Sequence, residues 1–203
     1  GRQRDSRSQA LASNLVALDV ASGRSRVLAS GEWFDLRLSP DGGHAALIED
    51  AEDLQPSPGR PLRVGDPLRR RRLTLVDLET GATRQPLPDE DMAMYLLSWS
   101  PDSARLLVFG RPLGGDFDQD GRYWLVPADG RARPLVMGDD APWIERTWDG
   151  VAVPLASWDG AQPVVQARSP AGARVWLRPE AAGEPRVPVV EPAERLVSLH
   201  GRA

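Results

Sequence analysis

The 203 residues carry 41% hydrophobic and 27% charged side chains with a net charge of −4, a balance that suits a globular chain with a real core and is too polar for a membrane protein. No run approaches the roughly 18 apolar residues of a spanning helix, and no apolar signal-type run follows Gly1–Ser6. Cysteine is absent, which excludes disulfides and cysteine–zinc sites and leaves the compartment, periplasmic or cytoplasmic, open. Every basic residue is Arg, but these are scattered among 29 acids, so no nucleic-acid surface is expected.

The 19 Gly and 19 Pro predict many short strands joined by turns rather than long helices. An outer hairpin is expected over 14–28, with Gly23 at its turn. Asp35-Leu36-Arg37-Leu38-Ser39-Pro40-Asp41-Gly42 then leads into the apolar run Ala45–Ile48. The same pattern returns as Leu96-Leu97-Ser98-Trp99-Ser100-Pro101-Asp102-Ser103 before Leu106–Phe109. Pro presets φ for the first central turn position, and Asp and Gly tolerate the conformations of the later ones. Each copy therefore reads as a strand, a tight turn and a more apolar strand. A third, degenerate copy is read at Ile144–Val153, with Asp149-Gly150 at its turn.

A second motif alternates with the first: a strand, a Gly turn and a short basic strand. Its copies are Leu15–Val20 with Gly23, Leu73–Leu78 with Gly81, Tyr123–Val126 with Gly130, and Arg174–Leu177 with Gly183. The glycines are 58, 49 and 53 residues apart, somewhat longer than the roughly 40–50 residues of four-stranded propeller repeats. The expected fold is therefore all-β: a single domain over 1–203 made of a β-propeller segment of about three four-stranded antiparallel blades, at about 33–88, 95–136 and 143–190. Partial blades are expected at both ends, the second a first strand at Arg195–Leu199, as in a piece of a larger ring. The Pro- and Arg-rich stretch 50–72 reads as a loop insertion. Open blade faces would favour self-association.

The paired Ser-Pro-Asp hairpins, with Asp-x-x-x-Gly turns such as Asp77–Gly81, resemble the propeller repeats of two groups. One is the N-terminal domain of the prolyl oligopeptidase superfamily of serine peptidases. The other is the periplasmic propeller protein of the Tol system. The first resemblance implies a non-catalytic propeller that gates or orients peptide substrate for an α/β-hydrolase domain of a parent chain or another protein. The second implies a binding-only scaffold for protein partners. A glycan-acting propeller would need a ring of convergent carboxylates that the sequence does not display. The paired-glutamate motif of the dipeptidyl group has no match here.

Catalytic residues are not expected in this chain. No Gly-x-Ser-x-Gly elbow occurs, the two histidines are His44 beside a turn and His200, and Ser25, Ser39 and Ser100 have no neighbouring histidine in sequence. Asp116-Phe117-Asp118-Gln119-Asp120-Gly121 places three carboxylates at alternate positions before a Gly, a spacing suited to calcium, with Asp116, Asp118 and Asp120 as ligands. A closing carboxylate is missing, since position 124 is Trp and position 127 is Pro. Otherwise the segment is a solvated hairpin loop, and no other cofactor is expected. Arg69–Arg72 and Asp89-Glu90-Asp91 read as solvated loops, and the seven Trp as packing between blades. The purified chain is expected to turn over neither general esters nor dipeptide amides, and retained hydrolysis after careful purification would contradict this reading.

Overall fold

The computed structural model describes residues 13–53, 69–147, 152–179 and 187–188, and all the regular structure in them is β. Strands β1 (Ser13–Leu18) and β2 (Ser25–Gly31) form a hairpin. The next four, β3 (Trp33–Leu38), β4 (His44–Asp53), β5 (Arg69–Asp77) and β6 (Thr83–Arg84), make an antiparallel meander in sequence order. A second meander follows in β7 (Glu90–Trp99), β8 (Arg105–Pro112), β9 (Arg122–Pro127) and β10 (Arg133–Pro134). Strand β11 (Ala141–Pro142) precedes a separate pair, β12 (Ile144–Arg146) with β13 (Ala152–Pro154). The last sheet runs β14 (Ala156–Asp159), β15 (Gln162–Arg168), β16 (Arg174–Leu177) and β17 (Val187–Pro188), with β11 sharing the β14 edge of β15.

Three departures from the sequence reading have physical causes. The two ends of the expected 50–72 loop are strand: in register, Glu49 faces Arg72 and Asp50 faces Arg71 across β4–β5. Opposite charges directly across an antiparallel pair support a strand that neither run suggests alone. Residues 54–68 lie outside the described set. The second meander starts at Glu90 rather than 95, because Glu90 and Asp91 are buried strand residues and not a solvated connection. The third meander opens on β14, with its turn at Gly160, whereas Ile144–Arg146 and Ala152–Pro154 form a two-stranded sheet of their own. Trp158-Asp159-Gly160 is thus the third hairpin signal, and the more visible Trp148-Asp149-Gly150 lies outside the described residues. Gly183 and the expected strand at Arg195–Leu199 also lie outside them.

Alternation along each strand makes the central sheets two-faced, and the faces stack. Leu15, Ala17 and Leu28 of the first hairpin pack on Ala45, Leu47 and Val76. The opposite face, Ala46, Ile48, Leu73 and Leu75, packs on Leu97, Trp99, Leu106 and Val108. Leu107, Phe109, Tyr123 and Leu125 in turn meet Trp158 and Val165. Burying a Leu, Ile or Phe side chain contributes roughly 1.5–3 kcal/mol, so these layers supply the cohesion.

Directional bonds then set each layer against the next. Trp99 Nε1–H donates to the Arg37 carbonyl at 3.2 Å, and Trp158 Nε1–H donates to the Ser98 carbonyl at 3.0 Å. In both, a Trp just before a turn reaches the equivalent strand of the preceding sheet. Arg26 donates to the carbonyls of Leu78, Glu79 and Thr80, and Arg84 donates to those of Pro127, Ala128 and Gly130. Ser103 stands where the first repeat has Gly42, and both take a positive φ, 62° and 72°. The Ser103 hydroxyl accepts the Asp41 N–H at 2.9 Å, a bond that glycine could not make and that offsets the left-handed strain. Tyr123 Oη–H donates to the Leu155 carbonyl at 3.2 Å; burial pushes its pKa up. Arg84→Met should keep the apolar stem and lose three carbonyl bonds, lowering stability by about 1–3 kcal/mol in urea unfolding.

Candidate functional site

The first strands of the two complete meanders, both at a sheet edge, are interrupted at the same repeat position. In β3, Trp33 pairs with Glu49 and Asp35 with Ile48, leaving Phe34 as an extra residue. In β7, Met92 pairs with Gly110 and Leu97 with Val108, so residues 93–96 stand opposite Phe109 alone. Phe34 is six residues before Pro40, and Tyr95 six before Pro101. The consequence is exposure: Phe34 is 45% exposed, and Tyr95 is 59% exposed in a strand whose other residues are mostly buried. Tyr95 holds φ at 70°, a left-handed conformation costing a non-glycine residue on the order of 1–3 kcal/mol. Bulges commonly re-aim side chains next to binding sites.

A buried ionic network supports this end of the sheets. Asp91, 1% exposed, accepts two hydrogen bonds on Oδ2 from Arg111, at 3.0 Å from Nε and 2.8 Å from Nη2. Its Oδ1 accepts the backbone N–H of Arg71 at 2.9 Å. Arg111 also donates to the Gly115 carbonyl at 2.8 Å and lies 4.2 Å from the centre of the Phe117 ring. Arg71 places its guanidinium 5.1 Å from the centre of the Phe34 ring. Asp91 therefore ties β5, β7 and β8 together, in the same strand as Tyr95 and, through Arg71, beside Phe34. The acidic cluster expected to be solvated is structural at Asp91, and Glu90 beside it is buried with Oε2 unpartnered.

The three aspartates of the calcium-type loop are engaged separately. Asp116 Oδ1 accepts the Asp118 N–H at 2.8 Å, Asp120 Oδ2 accepts the Asp116 N–H at 2.7 Å, and Asp118 Oδ2 pairs with Arg146 at 2.5 Å. Among the described residues no group of three or more His, Asp or Glu side chains is placed to hold a metal ion. Gly121 has a packing reason instead: a Cβ there would stand 2.3 Å from the Phe117 carbonyl and 2.5 Å from the Phe109 ring.

The turn serines are committed to backbone geometry. Ser39 Oγ–H donates to Asp41 at 2.5 Å and its oxygen accepts the His44 N–H at 2.9 Å; Ser100 does the same with Asp102 and Arg105. These hydroxyls hold the Asp41 and Asp102 carboxyls below the usual carboxylate range. His44, the one histidine among the described residues, is half-buried rather than an exposed turn residue; its ring lies 6.1 Å from Trp99, and Nδ1 has no partner. It lines a cavity of ≈ 140 Å³ with Asp77, Arg84 and Asp129, below the roughly 300–1,000 Å³ of small-molecule sites. No set of described residues has the nucleophile–base contact of a hydrolase.

Four-stranded antiparallel meanders stack face on face and share the same kinds of latch. The chain is built of β-propeller blades. No protein-family model matches the sequence, and no curated protein matches it. Among solved structures it is similar to TolB from Acinetobacter baumannii, at 16% identity over 82% of this chain and 38% of that one, with a TM-score of 0.39. It is similar to a dipeptidyl aminopeptidase IV from Bacteroides ovatus at 14% identity, over 84% and 30% of the two chains, with a TM-score of 0.48. Puromycin hydrolase is similar at 18% identity over 78% and 29%, with a TM-score of 0.36. The chain thus spans less than two thirds of the length of each of these proteins.

Neither exposed aromatic stands out in the sequence motifs, although their shared spacing to Pro40 and Pro101 is a signal that could have found them. Glu90 supplies a pH test of the network. Burial pushes its carboxyl above the usual range, Arg122 opposes this and Asp89 adds to it. The folded value lies above the unfolded one, so the fold favours the protonated acid and loses stability as pH rises through the folded value. Glu90→Gln should therefore be more stable than the parent at about pH 7, with the gap closing below about pH 4. Denaturant unfolding at both pH values reads this directly, and a pH-independent difference would contradict it.

Proposed function

We propose that this chain is a non-catalytic propeller domain that orients a peptide along its bulged first strands, β3 and β7, for a hydrolase domain of prolyl-oligopeptidase type carried elsewhere. The observation that carries the reading is the pair Phe34 and Tyr95, held outward at one repeat position by two independent bulges. A strained, exposed tyrosine in a strand otherwise mostly buried is poorly explained by stability alone. Aromatic faces with a phenol hydroxyl and the Arg71 guanidinium at their margin suit an extended chain with apolar side chains and backbone carbonyls. The Ser-Pro-Asp repeats, by their resemblance, supply the peptidase setting. The groups that would perform hydrolysis come from outside this chain in this reading.

Tyr95→Gly separates this role from a structural one. Glycine takes the positive φ without strain, so the variant should match or exceed the parent's stability, by up to about 1 kcal/mol. Titration with an extended proline-containing hexapeptide, followed by intrinsic fluorescence, should show saturable binding weakened at least about tenfold by Tyr95→Gly. Equal affinity in the two proteins, or no peptide binding by the parent, would overturn the proposal. Binding confined to folded protein partners would favour the scaffold reading instead.

A further inference from the structure

Two arginines beside the bulges meet a carboxylate of the chain: Arg111 pairs with Asp91, and Arg37 pairs with Asp35 at 3.0 Å next to Phe34. Arg71 differs. It is half-buried, and its guanidinium forms no ion pair or hydrogen bond among the described residues. Its Nε is covered without an acceptor, whereas Nη1 and Nη2 are not covered. Taking a cation partly out of water costs free energy that only an anion or a set of acceptors offsets.

The carboxylates around it are engaged elsewhere. Asp91 spends Oδ2 on Arg111 and Oδ1 on the backbone N–H of Arg71 itself. Glu49 accepts the Thr74 hydroxyl at 2.8 Å. Asp50 stands directly opposite Arg71 in register, yet the guanidinium lies over the Phe34 ring, 5.1 Å from its centre, instead of pairing across the strand. The main chain at Arg71 is thus pinned by Asp91, while the side chain reaches across β4 to the exposed aromatic of β3.

A guanidinium over a ring face keeps its edge N–H groups free to donate, and that edge matches the two oxygens of a carboxylate. A backbone carbonyl would satisfy an N–H and leave the charge unmet. Phe34 is 45% exposed, so a ligand residue that covers its ring also takes the Arg71 edge out of water, where a charged pair is stronger. Resting on the peptide site proposed above, we infer that Arg71 selects peptides bearing a carboxylate, whose two oxygens accept the Nη1–H and Nη2–H groups while the neighbouring peptide residue covers Phe34. The carboxylate is that of an Asp or Glu side chain or of the peptide's C-terminus. A Lys or Arg at the same place is repelled, so the site discriminates by charge as well as by apolar fit.

Fluorescence titration of the 203-residue chain with proline-containing hexapeptides tests this. One set carries a single Glu walked through the sequence, a second carries Gln at the same positions, and each is made with a free and an amidated C-terminus. In the parent, at least one Glu position, or the free C-terminus, should bind at least about tenfold more tightly than its neutral counterpart. Which neutralisation removes the gain tells side chain from terminus. Arg71→Met keeps the apolar stem and the backbone N–H to Asp91, and in it that ratio should fall to about one, whatever the neutral affinity. Parent affinities that ignore charge at every position and at the terminus, or a ratio unchanged in Arg71→Met, would overturn the inference. Peptides that bind alike yet lose affinity in Tyr95→Gly would leave the peptide site standing without this carboxylate, whereas no binding of any peptide would remove both.

Discussion

The structure depends on arginine and tryptophan N–H groups that cross from one sheet to the next and end on backbone carbonyls. Apolar layers supply the cohesion, but the hydrophobic effect is non-directional and leaves two stacked sheets free to slide or rotate. A guanidinium on three carbonyls of one turn removes that freedom, because its planar fork fits one arrangement. Trp99 and Trp158 act alike from the first strand of each meander, each burying a large ring while its N–H finds an acceptor on the preceding sheet. Among the described residues each kind of latch is made twice.

Fixing one sheet on the next is also what allows strain to persist. A bulge in a lone hairpin would slip to a regular register, since shifting one residue relieves it. In β7 the residues on either side of Tyr95 are locked: Ala93 and Leu96 in one apolar layer, Met92 and Leu97 in another. Below them, Asp91 and Arg111 form a pair whose separation would leave a buried charge without its partner. The backbone between these anchors has too many residues for the space opposite Phe109, and the excess is expelled as an exposed tyrosine. The same logic at β3 exposes Phe34. Packing that is over-determined on either side thus holds the strained tyrosine in place.

Polarity within single motifs divides in the same way. The Ser-Pro-Asp turns spend their hydroxyls and carboxylates on their own backbone, and the aspartates of the 116–120 loop spend theirs on loop N–H groups and Arg146. Among the described residues neither set gathers three or more carboxylates at one point. Arginine, scattered through the sequence without apparent purpose, carries most of the long-range polar contacts. Arg26 and Arg84 latch turns, Arg111 holds Asp91, and Arg71 covers Phe34.

Much of the architecture was legible in the sequence because it is local. Alternation of apolar residues, proline at the first turn position and glycine or serine at positive φ fix hairpins over a few residues, and repetition of those hairpins gives blades. The features that stayed hidden depend on partners distant in sequence. The acidic run ending β4 and the basic run opening β5 look like loops until their register sets Asp50 against Arg71. Asp91 looks solvated until Arg111 and the Arg71 N–H close on it, and Tyr95 looks like any strand residue until β8 leaves no room for it. The sequence alone determined the repeated turns and the apolar strands that flank them, since φ preferences and side-chain alternation act within a few residues. Tertiary structure alone decided which charges are buried and which aromatics are exposed, because both are set by the residues across the sheet or on the next one.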